Sequence, residues 1–139
     1  MPVGTTTADS ILGVAKGTNF TAPAELYIAP FNGDPTSGGS EVTNAITGST
    51  SRIDADMSTF TAPATSGSNR VIENATEISI TASASGSATF DYVALYTVQT
   101  GGTLTDPFAY AALTTSKSIT AGDEVKFEAG ALKFTSAIS

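Results

Sequence analysis

Without histidine or cysteine, the chain has carboxylates, hydroxyls, tyrosines and six basic residues to do chemistry with. That excludes Ser–His–Asp triads, Cys–His dyads and metals held by histidine or thiolate before any fold is considered. Asp54 and Asp56 form an Asp-x-Asp pair that extended backbone would point to one face. This is the start of a Ca²⁺ or Mg²⁺ site, but the further oxygen ligands are missing and a solvated loop face is the better account. Asp123 and Glu124 follow Gly122 at a predicted turn, as turn and edge charges do, and not as an acid/base couple. Thr114-Thr115-Ser116-Lys117 sets hydroxyls beside a lysine, yet no helix presents them and no oxyanion hole adjoins them, so they read as edge strand or turn. Phe90, Tyr92 and Tyr96 have the spacing to stack on sugars or bases, but beside Ala94 that spacing fits a packed sheet face or a subunit contact better. The expectation is a protein that is not an enzyme, with no catalytic, cofactor-binding or metal residue and no cofactor.

The elements that would position these residues are bounded by length and composition. A chain of 139 residues accommodates one compact domain with one hydrophobic core. Charged residues make up only 14%, and Thr, Ser, Ala and Gly crowd the sequence. Such a surface is polar through hydroxyls and backbone, which suits strands rich in Thr and Val and turns rich in Gly and Asn. The net charge is −7 with no basic cluster. Nucleic-acid binding is therefore not expected, because that affinity comes from Lys and Arg neutralising phosphates. The opening residues lack a basic start and a sufficient apolar run, and no segment has membrane-spanning length. The chain reads as made in the cytoplasm, with no membrane contact.

Residues 1–20 read as an arm or short amphipathic helix carrying Ile11, Leu12 and Val14, capped by Thr7 or Asp9 and stopped by Gly17. Gly4, Gly13 and Gly17 make it a poor autonomous helix, so its order is expected to come from a neighbouring surface. The arm should therefore serve attachment or oligomerisation more than the stability of the body, and Ile11, Leu12 and Val14 are the predicted partner contacts. Residues 21–139 read as one antiparallel β-sandwich or jelly-roll-like domain, making the fold all-β. Strands are predicted at 25–31, 76–83, 87–97, 108–113, 117–120, 124–128 and 131–135. The strand at 87–97 is central, with Phe90, Tyr92, Ala94 and Tyr96 on one face and Val93 and Leu95 on the other. Asn32-Gly33-Asp34-Pro35 is a turn, Val42 and Ile46 are edge-strand candidates, and residues 49–70 are the least readable. Phe-Thr-Ala-Pro-Ala occurs at 20–24 and again at 60–64, which is read as Pro at two strand entrances and not as a repeat architecture.

The order of motifs then brings a family into view. Thr21-Ala22-Pro23-Ala24, Leu26-Tyr27-Ile28-Ala29, Gly33-Asp34-Pro35 and Gly39-Ser40-Glu41-Val42 follow one another near the start. Gly101-Gly102-Thr103-Leu104, Ala112-Leu113-Thr114-Thr115-Ser116-Lys117, Ala121-Gly122-Asp123 and Phe127-Glu128-Ala129-Gly130-Ala131-Leu132 follow near the end. In these the chain resembles a group of small phage proteins often labelled tail fibre proteins. It departs from them between Thr43 and Met57, where their Gly-Tyr-Ala-Arg stretch is missing.

The resemblance implies a virion structural protein of a tailed bacteriophage, made in the host cytoplasm and found on the capsid surface or the tail. The first expectation is a capsid decoration, or cement, protein bound to the major capsid protein. A chain this short, without coiled-coil heptads or fibrous repeats, does not by itself make an extended fibre. The alternative is a tail fibre or tail adaptor protein bound to tail proteins, with a carbohydrate-binding or hydrolytic domain third. A homo-oligomer is expected, a trimer being the state that suits quasi-threefold positions.

Overall fold

The computed structural model describes residues 1–83 and 85–137, so the last two positions of the predicted 21–139 domain lie outside the described residues. In chain order the elements are α1 (Thr5–Val14), β1 (Tyr27–Asn32), β2 (Ser40–Glu41), α2 (Thr43–Thr47), β3 (Ile53–Asp54) and β4 (Ala64–Ser66). They continue with β5 (Asn69–Glu73), β6 (Ile78–Thr81), β7 (Ser87–Tyr96), β8 (Ala109–Thr120), β9 (Glu124–Phe127) and β10 (Lys133–Ala137). The fold is all-β with short helices, and every pairing between these strands is antiparallel.

The large sheet runs β2-β1-β7-β8, with β3 adding to β1 as well. Strand β7 lies between β1 and β8, the central place that its two apolar faces predict. Opposite lie a three-stranded sheet, β10-β5-β4, and a two-stranded one, β6-β9. Ile28, Val93 and Leu95 of the large sheet meet Val125, Phe127 and Leu132 in one core. Each such side chain contributes roughly 1.5–3 kcal/mol when fully buried. On the other face of the large sheet, Ala29, Phe31, Ala94 and Tyr96 form a second cluster with Tyr92 and Tyr110 packed against it.

Pro30 sits inside β1, where a missing N–H would break a ladder. It is tolerated because its carbonyl accepts from Val42 N (3.0 Å), so the absent N–H faces the gap between β2 and β3 and not β7.

Several expectations need correcting. Phe90 does not share a face with Tyr92 and Tyr96, because the ladder shifts between Phe90, opposite Lys117, and Tyr92, opposite Ala112. Four residues of β8, Leu113 to Ser116, stand against the single Asp91 of β7 there, and this bulge rotates Phe90 into the main core at 3% exposure. The two strands expected at 108–113 and 117–120 are one strand, β8, whose ladder is interrupted where the break was expected. Ile46 is not an edge-strand residue. It is buried on α2, which packs so closely on the start of β7 that a Cβ on Gly86 would run into Ala45 O. The unreadable 49–70 stretch contains β3 and β4, with Pro63 immediately before β4 as a strand-entrance proline. Pro23 lies further upstream of β1, so the first copy does not match that reading.

One buried polar residue organises the far end of the sandwich. The amide nitrogen of Asn74 donates to Thr76 O (2.8 Å) and Glu128 O (2.9 Å), and its side-chain oxygen accepts from Leu132 N (2.9 Å). With its own backbone bonded to Leu132 and Gly130, Asn74 stitches the end of β5 to the β9–β10 connection. Its hydrogen-bonding capacity is used, which is what makes its burial tolerable.

Candidate functional site

The carboxylates singled out from the sequence are hydrogen-bonded, Asp54, Asp56 and Asp123 within their own turns and Glu124 across the β6–β9 pair. Asp54 Oδ1 accepts from Asp56 N (2.8 Å), and Asp56 Oδ1 from the Ser58 hydroxyl (2.6 Å). Among the described residues no three potential ligands of the His, Cys, Asp and Glu types come together. Asp123 Oδ2 accepts from Thr120 N (2.8 Å) and from the Thr120 hydroxyl (3.1 Å), closing the β8–β9 turn at Gly122 (φ +87°). Glu124 accepts from the Ser79 hydroxyl, and that bond, followed by the one from Lys126, holds its carboxyl below the usual range. Lys126 is raised in turn, first by Glu124 and then by Glu77. Thr114, Thr115, Ser116 and Lys117 are exposed at the β8 bulge, and Tyr92 and Tyr96 lie on the outer face of the large sheet. Phe90, Lys117, Asp123 and Glu124 line one hollow of about 460 Å³ together with Lys126, whereas Asp54, Asp56, Tyr92 and Tyr96 are not part of its lining.

The arm is where structure and sequence expectation meet most informatively. Helix α1 starts at Gly4 and not at the caps expected, and no N-cap side chain serves it. Asp106, from the β7–β8 connection, takes that role from a distance. Its Oδ1 accepts from Thr6 N (3.2 Å) and its Oδ2 from the Thr6 hydroxyl, placing a carboxylate where the helix dipole favours one. Gly4 N donates to Pro107 O (3.0 Å), Tyr110 N donates to Pro2 O (3.0 Å), and Val3 bridges Ala109. A Cβ on Gly4 would run into Pro107 O and Asp106 Oδ1. The helix ends at Val14 with Ala15 as its C-cap, and the predicted stop, Gly17 (φ +81°), closes the turn that follows, where Gly17 N donates to Val14 O (3.0 Å) and Thr18 N to Gly13 O (3.0 Å).

The arm is therefore divided. Met1 and Val3 pack on the core and Thr7 is buried, so its first eight residues owe their order to this chain's own body and not to a neighbour. Ile11, Leu12 and Val14 remain 53%, 68% and 54% exposed. Ile11 also borders the first of two adjoining apolar hollows. One of about 350 Å³ runs under α1 past Ile11, and one of about 450 Å³ runs past Phe20, Pro23 and Met57; Pro63, Ile72, Phe108 and Phe134 line both. The two Phe-Thr-Ala-Pro-Ala copies thus meet across one furrow. Its floor holds the rings of Phe60, Phe134 and Phe108, with centroids 6.1 and 6.3 Å apart in sequence. An apolar ridge flanking an apolar furrow is the character of a binding surface.

A polar network lies against the outer face of the large sheet, around Tyr96. Arg52, with its side chain 1% exposed, grips Glu41 at two points, Nε to Oε1 (2.9 Å) and Nη2 to Oε2 (3.0 Å). Its Nη1 donates to Val98 O (2.9 Å), and the guanidinium lies 3.9 Å over the Tyr96 ring. Tyr96 donates its hydroxyl to Leu104 O (2.7 Å), and burial pushes that phenol well above its ordinary range. None of this was read from the sequence, because a lone Arg in a Ser- and Thr-rich stretch looks like any solvated residue.

A family model described as podophage GP4 fiber I protein gp80 matches residues 2–135. The chain belongs to this family. The match spans the middle of the chain, including Thr43–Met57, where the motif resemblance lapses. Membership makes the chain a phage virion structural protein of the fibre type, as the resemblance implied. No curated protein matches it.

Proposed function

We propose that the chain is a non-catalytic decoration protein of the phage head, attached to the assembled shell through the exposed side of α1 and the furrow beside it. The carrying observation is the exposure of Ile11, Leu12 and Val14 on a helix whose base is held to its own body. A compact β-sandwich with one presented apolar ridge suits a protein that covers joints between subunits. Binding only the assembled shell would stabilise it by mass action. The partner is the major capsid protein, and neighbouring copies form a homo-oligomer, a trimer at quasi-threefold positions.

A non-catalytic role is supported by the absence of His and Cys and by the use of the carboxylates as turn and helix caps. Turnover of glycans or peptides by the purified chain, lost when Asp54 or Asp56 is replaced, would overturn that part. A second reading is favoured by the family's description as a fiber protein. It has the chain built into a tail fibre or adaptor, with tail proteins as partners and the same ridge as contact. Imaging intact virions at a resolution that places a sandwich of this size decides between them. Density on the head lattice is expected, and density confined to the tail would replace the first reading with the second.

A further inference from the structure

Residues 97–108, between β7 and β8, form a strap that different parts of the chain hold at its two ends. Near its start Val98 O accepts from Arg52 Nη1 (2.9 Å), and Gln99 O accepts from the Arg52 backbone N (2.9 Å). Leu104 O accepts from the Tyr96 hydroxyl (2.7 Å). Between these anchors lie Gly101 (φ +70°) and Gly102 (φ +83°), which add backbone freedom, so the strap's position must come from what grips it. Its far end is the dock for the arm: Asp106 holds Thr6, and Pro107 O holds Gly4 N.

We infer that the Glu41–Arg52 pair and Tyr96, acting through this strap, set the position of Asp106 and so govern whether α1 is docked with its apolar side presented. The anchor is suited to this. A two-point buried pair cannot loosen by degrees, since separating its partners leaves an uncompensated charge indoors. The strap is short, and Asp106 N donates to Thr103 O (3.1 Å), which ties the carboxylate to the segment that Tyr96 clamps. Coupling of this kind is reciprocal: whatever the anchor adds to docking of the arm, docking of the arm returns to the anchor. Arg52, Glu41 and Tyr96 are thus positioning residues for a surface that they do not touch. The consequence for attachment rests on the role proposed for α1, whereas the coupling itself does not.

Amide hydrogen exchange on the full chain tests it. Tyr96→Phe removes only the hydroxyl that holds Leu104. The Gly4 and Thr6 amides should then exchange roughly three- to tenfold faster, the worth of one such hydrogen bond, while the Ala94 amide, opposite Ala29 in the β1–β7 ladder, keeps its rate. Arg52→Lys keeps the charge but loses the two-point grip and should act in the same direction. Reciprocity gives the independent arm: Asp106→Ala, at an exposed contact, should speed exchange of the Arg52 amide that bonds Gln99. Unchanged Gly4 and Thr6 rates in Tyr96→Phe overturn the coupling, as does an unchanged Arg52 amide in Asp106→Ala. If Tyr96→Phe loosens the ladder as well, the Asp106→Ala result decides. Virion binding separates the two ideas, because a Tyr96→Phe chain with a fast-exchanging arm that still binds at full occupancy defeats the attachment role and leaves the coupling standing.

Discussion

The first eight residues and the next nine differ in what they touch, although the sequence runs through both without a break. Met1 to Ala8 is fastened: Pro2 and Val3 extend the edge of β8, Gly4 bonds Pro107, and Asp106 caps the helix. Asp9 to Gly17 is presented, with Leu12 and Val14 more than half exposed. The difference teaches that order and availability come from separate residues. A helix that carries Gly4, Gly13 and Gly17 within or beside it is not stable alone, and fastening its first turn lets the rest stay folded while touching little. Deleting residues 1–8 should break the contrast most severely. Loss of the partly buried Met1 and Val3 and of buried Thr7 should lower unfolding free energy by about 3 kcal/mol in a urea titration. An unchanged midpoint would mean that the fastened half is ornamental.

A narrower break comes from Gly4. An added methyl meets Pro107 O, which is backbone, and Asp106 Oδ1, so one side must move. Gly4→Ala should cost about 1–3 kcal/mol, the range for overpacking, and should release Thr6 from Asp106. Thermal unfolding measures the cost, and amide exchange at Thr6 shows the release.

How much of this was legible follows from the distance over which each feature is encoded. Strands β1, β6 and β7 and the turn after Asn32 are local, written in alternation and in Gly-Asp-Pro, and they stand within a few residues of expectation. The apolar side of α1 is local too, so Ile11, Leu12 and Val14 could be named. Helix α2 was missed because its residues have ordinary propensities; it forms where Ile46 is buried against the body and Gly48 (φ +74°) ends it. The cap of α1 was missed because Asp106 and Thr6 are 100 residues apart. The same holds for Arg52 and Val98, which only the folded topology brings together. Phe90 was assigned the wrong face because period-two counting carries no sign of a bulge.

Asp106→Ala sharpens the comparison at smaller cost. It removes a remote helix cap and should lower stability by about 1 kcal/mol, as other cap deletions do. High pH attacks the strap from its other end. Burial raises the Tyr96 phenol above its ordinary 10.0, so this contribution to stability is full below pH 10 and is lost as pH climbs toward the folded-state value. Tyr96→Phe should flatten the alkaline decline in a series of melts. An unaltered slope would show that Tyr96 is not what titrates.

The smallest effect on stability should come from the presented half, and it is the most telling. Leu12 and Val14 are 68% and 54% exposed, so replacing both with Ser removes little buried surface, and exposed helix positions away from caps tolerate such changes within about 0.5 kcal/mol. Serine lowers helix propensity slightly relative to leucine, which sets the direction of the remaining cost. If these side chains are the contact with the virion, the double variant should melt with the parent yet lose co-sedimentation with particles, because the apolar area withheld from the partner is what drives association. The fastened half should give the reverse signature, with stability falling first and binding falling only as the helix comes loose. A Leu12→Ser, Val14→Ser chain that melts with the parent and binds particles at full occupancy would move the attachment surface elsewhere, and the next place to look is the furrow floor around Phe60 and Phe134.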